Sequence, residues 1–487
     1  MHYRHPSAAP LSFATSHAAI RVSTTSTISE TGLTSSPVET SHARELIRLA
    51  LPMVVVQVGW MLMGVVDTIM VGHLSATALA AVALGNLYWF TMTILGFGVL
   101  MAMDPIVAQA VGAGDEGAIT RGIQRGLVLS VVVSVLATVL LAFANPLLAV
   151  ARQPADIVPI ASTYVIISIW GVLPFFVFAA LRQSLQAMGE VRHIVLTMVL
   201  ANIANALLNW ILVFGKLGVP ALGVAGSAWA TAISRWLMAL MLAAFSWRVL
   251  RPYLASIHPD VFDARALWRV TKLGIPVGIQ FQLEFSAFAA IALLMGRFGT
   301  SEMAGHQIAL NLASLTFMVP LGVAGAAAVL VGQAVGRGDE AGARASARTS
   351  LITGVGFMAV SAVAMLLLPE LIAQLYTSDS LAAALAAMLI PIAGVFQIFD
   401  GIQAVSGGIL RGLGDTRTPM LVNVVGFWLI GMPISLYLGF RTSAGPAGLW
   451  WGLVAGLAVV AIILLVRVGI SLRRALVRVV IDTHVGG

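Results

Sequence analysis

The chain has 487 residues, of which 59% are hydrophobic and 10% charged, and its mean hydropathy is +0.97. Soluble domains carry about 25% charged residues, so a fully water-facing surface is excluded and lipid must be the main solvent. There is no cysteine, which excludes disulfides and thiolate metal sites, and without an H-E-x-x-H pattern a zinc site has no support.

Residues 1–44 open the chain as a polar tail. Ser23-Thr24-Thr25-Ser26-Thr27 and Thr34-Ser35-Ser36-Pro37 bury too little apolar area to offset ordering entropy. The segment lacks the continuous apolar core of a secretory signal. It reads as disordered, or as residues ahead of a later true start.

From Leu46 the chain breaks into apolar runs long enough to cross a bilayer, which takes about 20 residues. They fall near 47–72, 79–104, 123–145, 158–182, 193–214 and 222–247, then 269–296, 303–332, 348–368, 381–408, 418–440 and 446–470. The fold class is therefore all-α integral membrane, with twelve transmembrane helices. A charged linker, 248–268, separates an N-terminal lobe, 45–247, from a C-terminal lobe, 269–474, and a tail, 475–487, ends the chain. With both termini in the cytoplasm, 22 of the 27 basic residues lie on the inner side. Arg152, Lys216, Arg297 and Arg441 lie outside, and Arg235 falls within a span. This is the positive-inside pattern, and it accounts for the net charge of +7 with no nucleic-acid partner.

The two lobes are repeats. Gln109-Ala110-Val111-Gly112-Ala113-Gly114-Asp115-Glu116 returns 224 residues later as Gln333-Ala334-Val335-Gly336-Arg337-Gly338-Asp339-Glu340. Pro52 returns as Pro276 at the same offset. Gly189-Glu190-Val191-Arg192 is answered by Gly414-Asp415-Thr416-Arg417. Six helices per repeat give both halves the same orientation, hence a pseudo-two-fold axis along the membrane normal. Parallel repeats of this kind are typical of transporters with a cavity between two rocking bundles. The Gly-x-Gly loops come after no strand and lack a Lys-Ser ending, so they read as helix stops rather than phosphate cradles.

Three carboxylates lie deep in spans. Asp67 falls about 9 Å from the outer end of the first helix, Glu284 about 18 Å into the seventh and Asp400 about 17 Å into the tenth, at 1.5 Å per residue. Each costs about 2.5–3.5 kcal/mol at a helix centre, so such groups face a cavity or a partner. There a carboxylate can take up a proton, a sodium ion or an organic cation. Gln280, Glu284 and Phe288 share one helix face, as do Phe396, Asp400 and Gln403. Each stripe offers an acid, an amide and a ring suited to a flat cation. Asn202, Asn205 and Asn209 share a face of the fifth helix, as interhelical glue or as a polar path. Arg235, about 20 Å from Arg248, should pair with a carboxylate, for which Asp67 is a candidate, or face water. Asp104, beside Pro105, reads as interfacial.

At these residues the chain resembles the multidrug and toxic compound extrusion (MATE) family, and within it the NorM-like branch. The likeness runs from about Arg44 to Arg474. It is carried by Val66-Asp67-Thr68-Ile69-Met70-Val71-Gly72, Leu208-Asn209-Trp210-Ile211, Leu283-Glu284-Phe285, Gly305-His306-Gln307-Ile308-Ala309-Leu310-Asn311 and Asp400-Gly401-Ile402-Gln403. The resemblance implies a bacterial inner-membrane antiporter, likened to monomeric transporters. It would export small, amphiphilic, often cationic drugs or toxic metabolites through alternating access. Glu284 and Asp400 would form a C-lobe cation site, holding Na+ if sodium couples, and Asp67 an N-lobe site. No cofactor is expected beyond the coupling Na+ or H+, and no partner beyond the exported compounds and membrane lipid. Phe396 stands where some sodium-coupled members carry tyrosine, which leaves sodium against proton open.

A lipid-linked precursor flippase of the same superfamily fold is the alternative. It calls for many basic residues in the cavity, whereas Arg235 alone is deep. An enzyme would need a nucleophile–base pair at membrane depth, and none is seen. At the 224 offset Asp67 meets Ile291 and Glu284 meets Trp60, so the halves match in scaffold and differ in chemistry.

Overall fold

A computed structural model describes residues 37–150 and 153–482. The expectations for the tail up to residue 36, for Arg152 and for 483–487 lie outside the described residues. Twelve helices among them are long and apolar enough to cross a membrane. In chain order these are α1 (Pro37–Gly72), α2 (Ala76–Gly112), α3 (Glu116–Ala142), α4 (Val158–Ala187), α5 (Arg192–Phe214) and α6 (Val224–Phe245). The second set is α7 (Ala264–Met295), α8 (Thr300–Arg337), α9 (Glu340–Leu367), α10 (Ser380–Gly412), α11 (Arg417–Arg441) and α12 (Gly445–Ser471). The first helix starts at Pro37, inside the stretch read as a disordered tail to residue 44.

The lipid-facing sides are set by apolar residues one turn apart. On α3, Val131, Val135 and Val139 are exposed together with Val132, Leu136 and Leu140; on α9 the same holds for Ile352, Val360 and Val363. In water such a surface would be unstable, and in hydrocarbon it is the natural outside of a bundle whose backbone bonds are met internally. Small residues take the inside. Ala324 and Ala326 to Val331 of α8 are all buried, and a side chain at Gly408 or Gly412 of α10 would run into the α8 backbone at Ala324 and Ala328. Close backbone approach of this kind is how helices associate without a hydrophobic drive.

The repeated Q-A-V-G-x-G-D-E motif has one architecture in both copies. Gly114 and Gly338 take left-handed φ of 66° and 69°, a conformation glycine adopts without strain. The next residue, an aspartate, caps the helix it begins: Asp115 accepts from the Ala118 N–H at 2.9 Å and Asp339 from the Gly342 N–H at 2.8 Å. Each loop is a helix stop joined to a helix cap.

The linker is not the plain charged loop expected. Trp247–Leu254 is a helix whose Leu250 is buried while Arg248 and Arg251 face outward. An amphipathic stripe of Leu250 and its neighbours drives this. Gln124 of α3 pins the end of this helix and the bend beyond it, donating to the carbonyls of Tyr253 at 2.7 Å and Ser256 at 2.6 Å.

Candidate functional site

Two carboxylate sites, one in each lobe, and a seal between the lobes make up the candidate site. In the first lobe Asp67 of α1 is 3% exposed. Asn209 donates to one of its oxygens at 2.7 Å and Asn205 to the same oxygen at 3.3 Å, both from α5, and Thr231 of α6 donates to the other at 2.8 Å. Three donors from two helices thus hold one acid. The asparagine stripe splits: Asn205 and Asn209 meet Asp67, whereas Asn202 turns its amide to the Met198 carbonyl of its own helix at 2.9 Å. Arg235 is not bonded to Asp67. Its guanidinium lies 3.7 Å over the Trp89 ring, a cation–π contact, and its Nη1 is buried without a hydrogen-bond partner. Thr231 escapes a reading of the sequence because a lone mid-helix threonine gives little signal. The same holds for Tyr164, which donates to Asn86 at 2.9 Å.

In the second lobe Gln403 of α10 donates to Glu284 of α7 at 3.1 Å. Asp400, one turn before Gln403 on α10, is 7% exposed, and Glu284 acts on it as a like charge. Two neighbouring carboxylates cannot both stay ionised without a cation or a proton. The Gln403 carbonyl oxygen is buried with no partner, so two acids and an amide oxygen offer hard oxygen ligands suited to a small cation. Gln280, also buried, stands one turn before Glu284. The rings gather beside these acids. Phe288 meets Phe396 edge-on at 5.8 Å and Phe427 at 6.2 Å, and Phe396 meets Trp450 at 6.0 Å. Phe396 is only 2% exposed, so it packs inside the lobe, while Phe288 is half-buried. Trp450 donates to His306 Nδ1 at 3.2 Å, which ties α12 to α8. The indole of Trp428 donates to the Leu283 carbonyl at 3.1 Å, fixing α11 on α7 next to Glu284.

Where the second lobe has Glu284 the first has Trp60, packed among Phe97, Phe175 and Phe178 at 5.3–6.3 Å. Where the first has Asp67 the second has the fully buried Ile291.

Close contacts between the lobes gather toward the face where the arginine-bearing helix ends lie. Any side chain at Gly98 of α2 would collide with Gly278 of α7, and one at Gly322 of α8 with Val54 of α1. The repeated motif forms the end of this seal. Gly112 lies on the Gln333 carbonyl and Gly336 on the Gln109 carbonyl. Gln109 donates to the Gly412 carbonyl at 2.9 Å, and Gln333 to that of Ala187, also at 2.9 Å. Both bonds cross between lobes and are related by the pseudo-two-fold. Asp104 also belongs here. Instead of lying at the membrane interface it is fully buried, bonded to Gln183 at 2.9 Å and paired with Arg411 of the opposite lobe at 3.2 Å. Proline at 105 leaves the helix turn before it free to bend inward. The tail closes over the same face. Arg478 pairs with Asp115 at 3.0 Å, the Val479 N–H donates to the Gln109 side chain at 2.7 Å, and Asp482 binds Arg121 and Arg125, each at 2.6 Å.

The sequence matches the family MatE twice, over residues 52–211 and 276–437. It is 37% identical over 457 residues to the multidrug resistance protein NorM of Burkholderia vietnamiensis, covering 90% of this chain and 96% of that one. It is 34% identical over 448 residues to the multidrug resistance protein MdtK of Pectobacterium atrosepticum, covering 90% and 98%. Among solved structures, a eukaryotic MATE transporter, AtDTX14, superposes with a TM-score of 0.82 at 22% identity, over 90% of this chain and 98% of that one. An outward-facing multidrug resistance MATE family transporter of the MOP superfamily superposes with a TM-score of 0.80 at 22% identity, over 89% and 97%.

Proposed function

Because the chain belongs to the MatE family, in its NorM-like branch, we propose that it is a cation-coupled multidrug efflux antiporter. It exports small amphiphilic, often cationic compounds across a bacterial inner membrane by alternating access. The arginine-rich face is the cytoplasmic one, with both termini on that side, and the chain works as a monomer. One observation carries this reading. Acids at membrane depth stand in both bundles, Asp67 held by Asn205, Asn209 and Thr231 and Glu284 by Gln403, and the bundles pack closely toward the arginine-bearing helix ends.

Asp67 and the Glu284–Asp400 pair are the exchange sites. A coupling ion, Na+ or H+, and an organic cation compete for the same negative charge, so loading one releases the other. In the second lobe Gln403 positions Glu284, and Gln280 and Phe288 line the approach. The site residues impose no choice between sodium and proton. The oxygen ligands suit sodium, and like-charge repulsion between the acids suits a proton.

Transport into everted vesicles tests the assignment. Ion-driven uptake of a fluorescent cationic dye should collapse with Glu284→Gln or Asp400→Asn at unchanged expression. Undiminished uptake would remove these residues from the mechanism. In proteoliposomes a sodium jump and a pH jump, applied separately, identify the coupling ion.

A further inference from the structure

Asp104 sits in a small cavity between the lobes, of about 30 Å³, lined by Gln57, Arg182, Gln183 and Gln186 of the first lobe and by Arg411 of the second. It is the one acid on that lining, facing two guanidinium groups. Asp104, Arg182 and Arg411 are 0%, 6% and 8% exposed. Arg411, from the opposite lobe, holds the carboxylate. Arg182, from the same lobe as Asp104, is poorly used. It makes one long bond, 3.4 Å to Gln57, its Nε is buried without a partner, and its face lies 5.6 Å from the Phe97 ring. Its chain neighbour Gln183 already grips Asp104. A guanidinium has five donors, so this one is held in reserve beside a carboxylate that another arginine occupies.

We propose that Asp104 exchanges partners during transport: Arg411 holds it while the lobes are shut on the cytoplasmic side, and Arg182 takes it when they part. The proposal rests on the alternating-access reading above. Parting the lobes carries Arg411 away with the second lobe. Water reaches this face as the lobes part, yet Asp104 stays bonded to Gln183 against its own lobe, where a neighbouring cation still favours the ionised carboxylate. Arg182 supplies that cation without crossing between lobes, and its own unmet donor is satisfied in the same step. Closure reverses it: Arg411 displaces Arg182, which returns to Gln57. Each state thus leaves one arginine short and the carboxylate always paired, so neither state is trapped. Arg182 and Arg411 are positioning residues of the conformational cycle, and neither is a ligand for cargo. The 224-residue repeat places Ala328 opposite Asp104, so the exchange operates on one side of the pseudo-two-fold alone.

The absence of cysteine from the chain makes a direct test practicable. Ala108, fully buried on α2, abuts Gly332 of the other lobe. Ala108→Cys in everted vesicles reports cytoplasmic parting through its rate of reaction with a membrane-impermeant maleimide. Arg411→Gln should raise that rate by about tenfold, the shut state having lost its charge pair. Arg182→Gln should lower it by a similar factor, because the parted state has lost its substitute partner and the shut state a neighbouring positive charge. A purely structural ion-pair cluster would loosen in both variants. Rates that move the same way therefore overturn the exchange while leaving alternating access intact. A cysteine sealed in every variant and with every ion gradient overturns alternating access, and the exchange with it. If Arg411→Gln fails to accumulate, Arg411→Lys, which keeps the charge and loses the planar fork, takes its place. It should raise the rate by a smaller factor, and an unchanged or lowered rate counts against the exchange.

Discussion

Replacing either glycine of the interlobe seal with alanine tests whether the repeated motif closes the transporter. A Cβ at Gly112 would fall on the Gln333 carbonyl, and one at Gly336 on the Gln109 carbonyl and the Ala113 N. Backbone, not a flexible side-chain tip, stands in the way, so the lobes must move apart for the methyl to fit. Overpacking of this kind costs about 1–3 kcal/mol, equivalent to about 5- to 150-fold in a two-state equilibrium. Alanine is favoured over glycine in a helix by about 0.8–1.0 kcal/mol. Both glycines are helical and belong to one lobe each, so that gain applies whether the lobes are shut or parted and does not offset the collision. Gly112→Ala and Gly336→Ala should therefore shift the same equilibrium in the same direction, toward parting at the arginine-rich face, and by similar amounts. The readout is maleimide labelling at Ala108→Cys with dye transport measured alongside. Thermal unfolding should change little for either variant. Labelling unchanged from the parent, or a large effect from one glycine and none from its repeat partner, would refute the reading of the motif as a symmetric seal.

Thr231→Val removes one of three donors to Asp67 while keeping the side-chain shape; a lost hydrogen bond to a charged group should cost about 1.5–3 kcal/mol, seen in thermal unfolding in detergent and restored by Thr231→Ser. Asp482→Asn should free the C-terminal segment and speed its cleavage at neutral pH by up to about fivefold, the upper range for a partly exposed ion pair. The same groups set the pH dependence of that cleavage. Burial raises the Asp482 carboxyl, and the hydrogen bonds from Arg125 and Arg121 outweigh it, so the group stays below the ordinary carboxylate range. Asp115 is held low chiefly by the Ala118 N–H of its own helix cap, docked or not, and against the effect of burial Arg478 of the tail lowers it further. Depressed carboxylates stabilise the docked tail at all pH values above the free-chain pKa of about 3.9 and lose that contribution only as pH falls through their lower docked values. Protection of the tail should therefore be flat from pH 8 to pH 5 and fail on stronger acidification; loss of protection near pH 6 would contradict these pairings.

Helix number and the two-lobe repeat are legible in the sequence because both rest on strong, redundant signals. Lipid forces runs of apolar residues, and duplication copies landmarks in order. The deep carboxylates are legible for the same reason, since acids at membrane depth are too costly to be casual. Their surroundings are less so. Asn205 and Asn209 can be placed on one face with Asn202, but only packing decides that two of them reach Asp67 and the third bonds to its own helix. Thr231 and the Trp89–Arg235 stack depend on how α2, α5 and α6 lean together, which no spacing within one helix encodes. Asp104 reads as interfacial in the sequence because its neighbours are those of a helix end, while its partner, Arg411, lies 307 residues away.

The positions where the lobes touch separate into two kinds. Gln109 and Gln333, and Gly112 and Gly336, recur in both halves and do equivalent work in both. A symmetric contact of neutral groups can open and close without changing its partners' charge, and by itself it sets no preference between the two lobes. The charged residues deep in the spans do not recur. Asp104 faces Arg411 across the lobes with no counterpart, Asp67 answers Ile291, and the Glu284 site answers Trp60. Selection on duplicated halves would preserve the seal in both copies, since either half failing opens a leak. It could differentiate the acids freely, since the proposed antiport has its sites load unequally as the lobes move. The neutral glutamines and glycines of the motif are thus where the two halves must agree, and the carboxylates at membrane depth are where they must differ. Placing a second acid by the repeat, as Ile291→Asp would, should create a buried charge without Asn205, Asn209 or Thr231 around it, and should prevent the chain from accumulating rather than add a site.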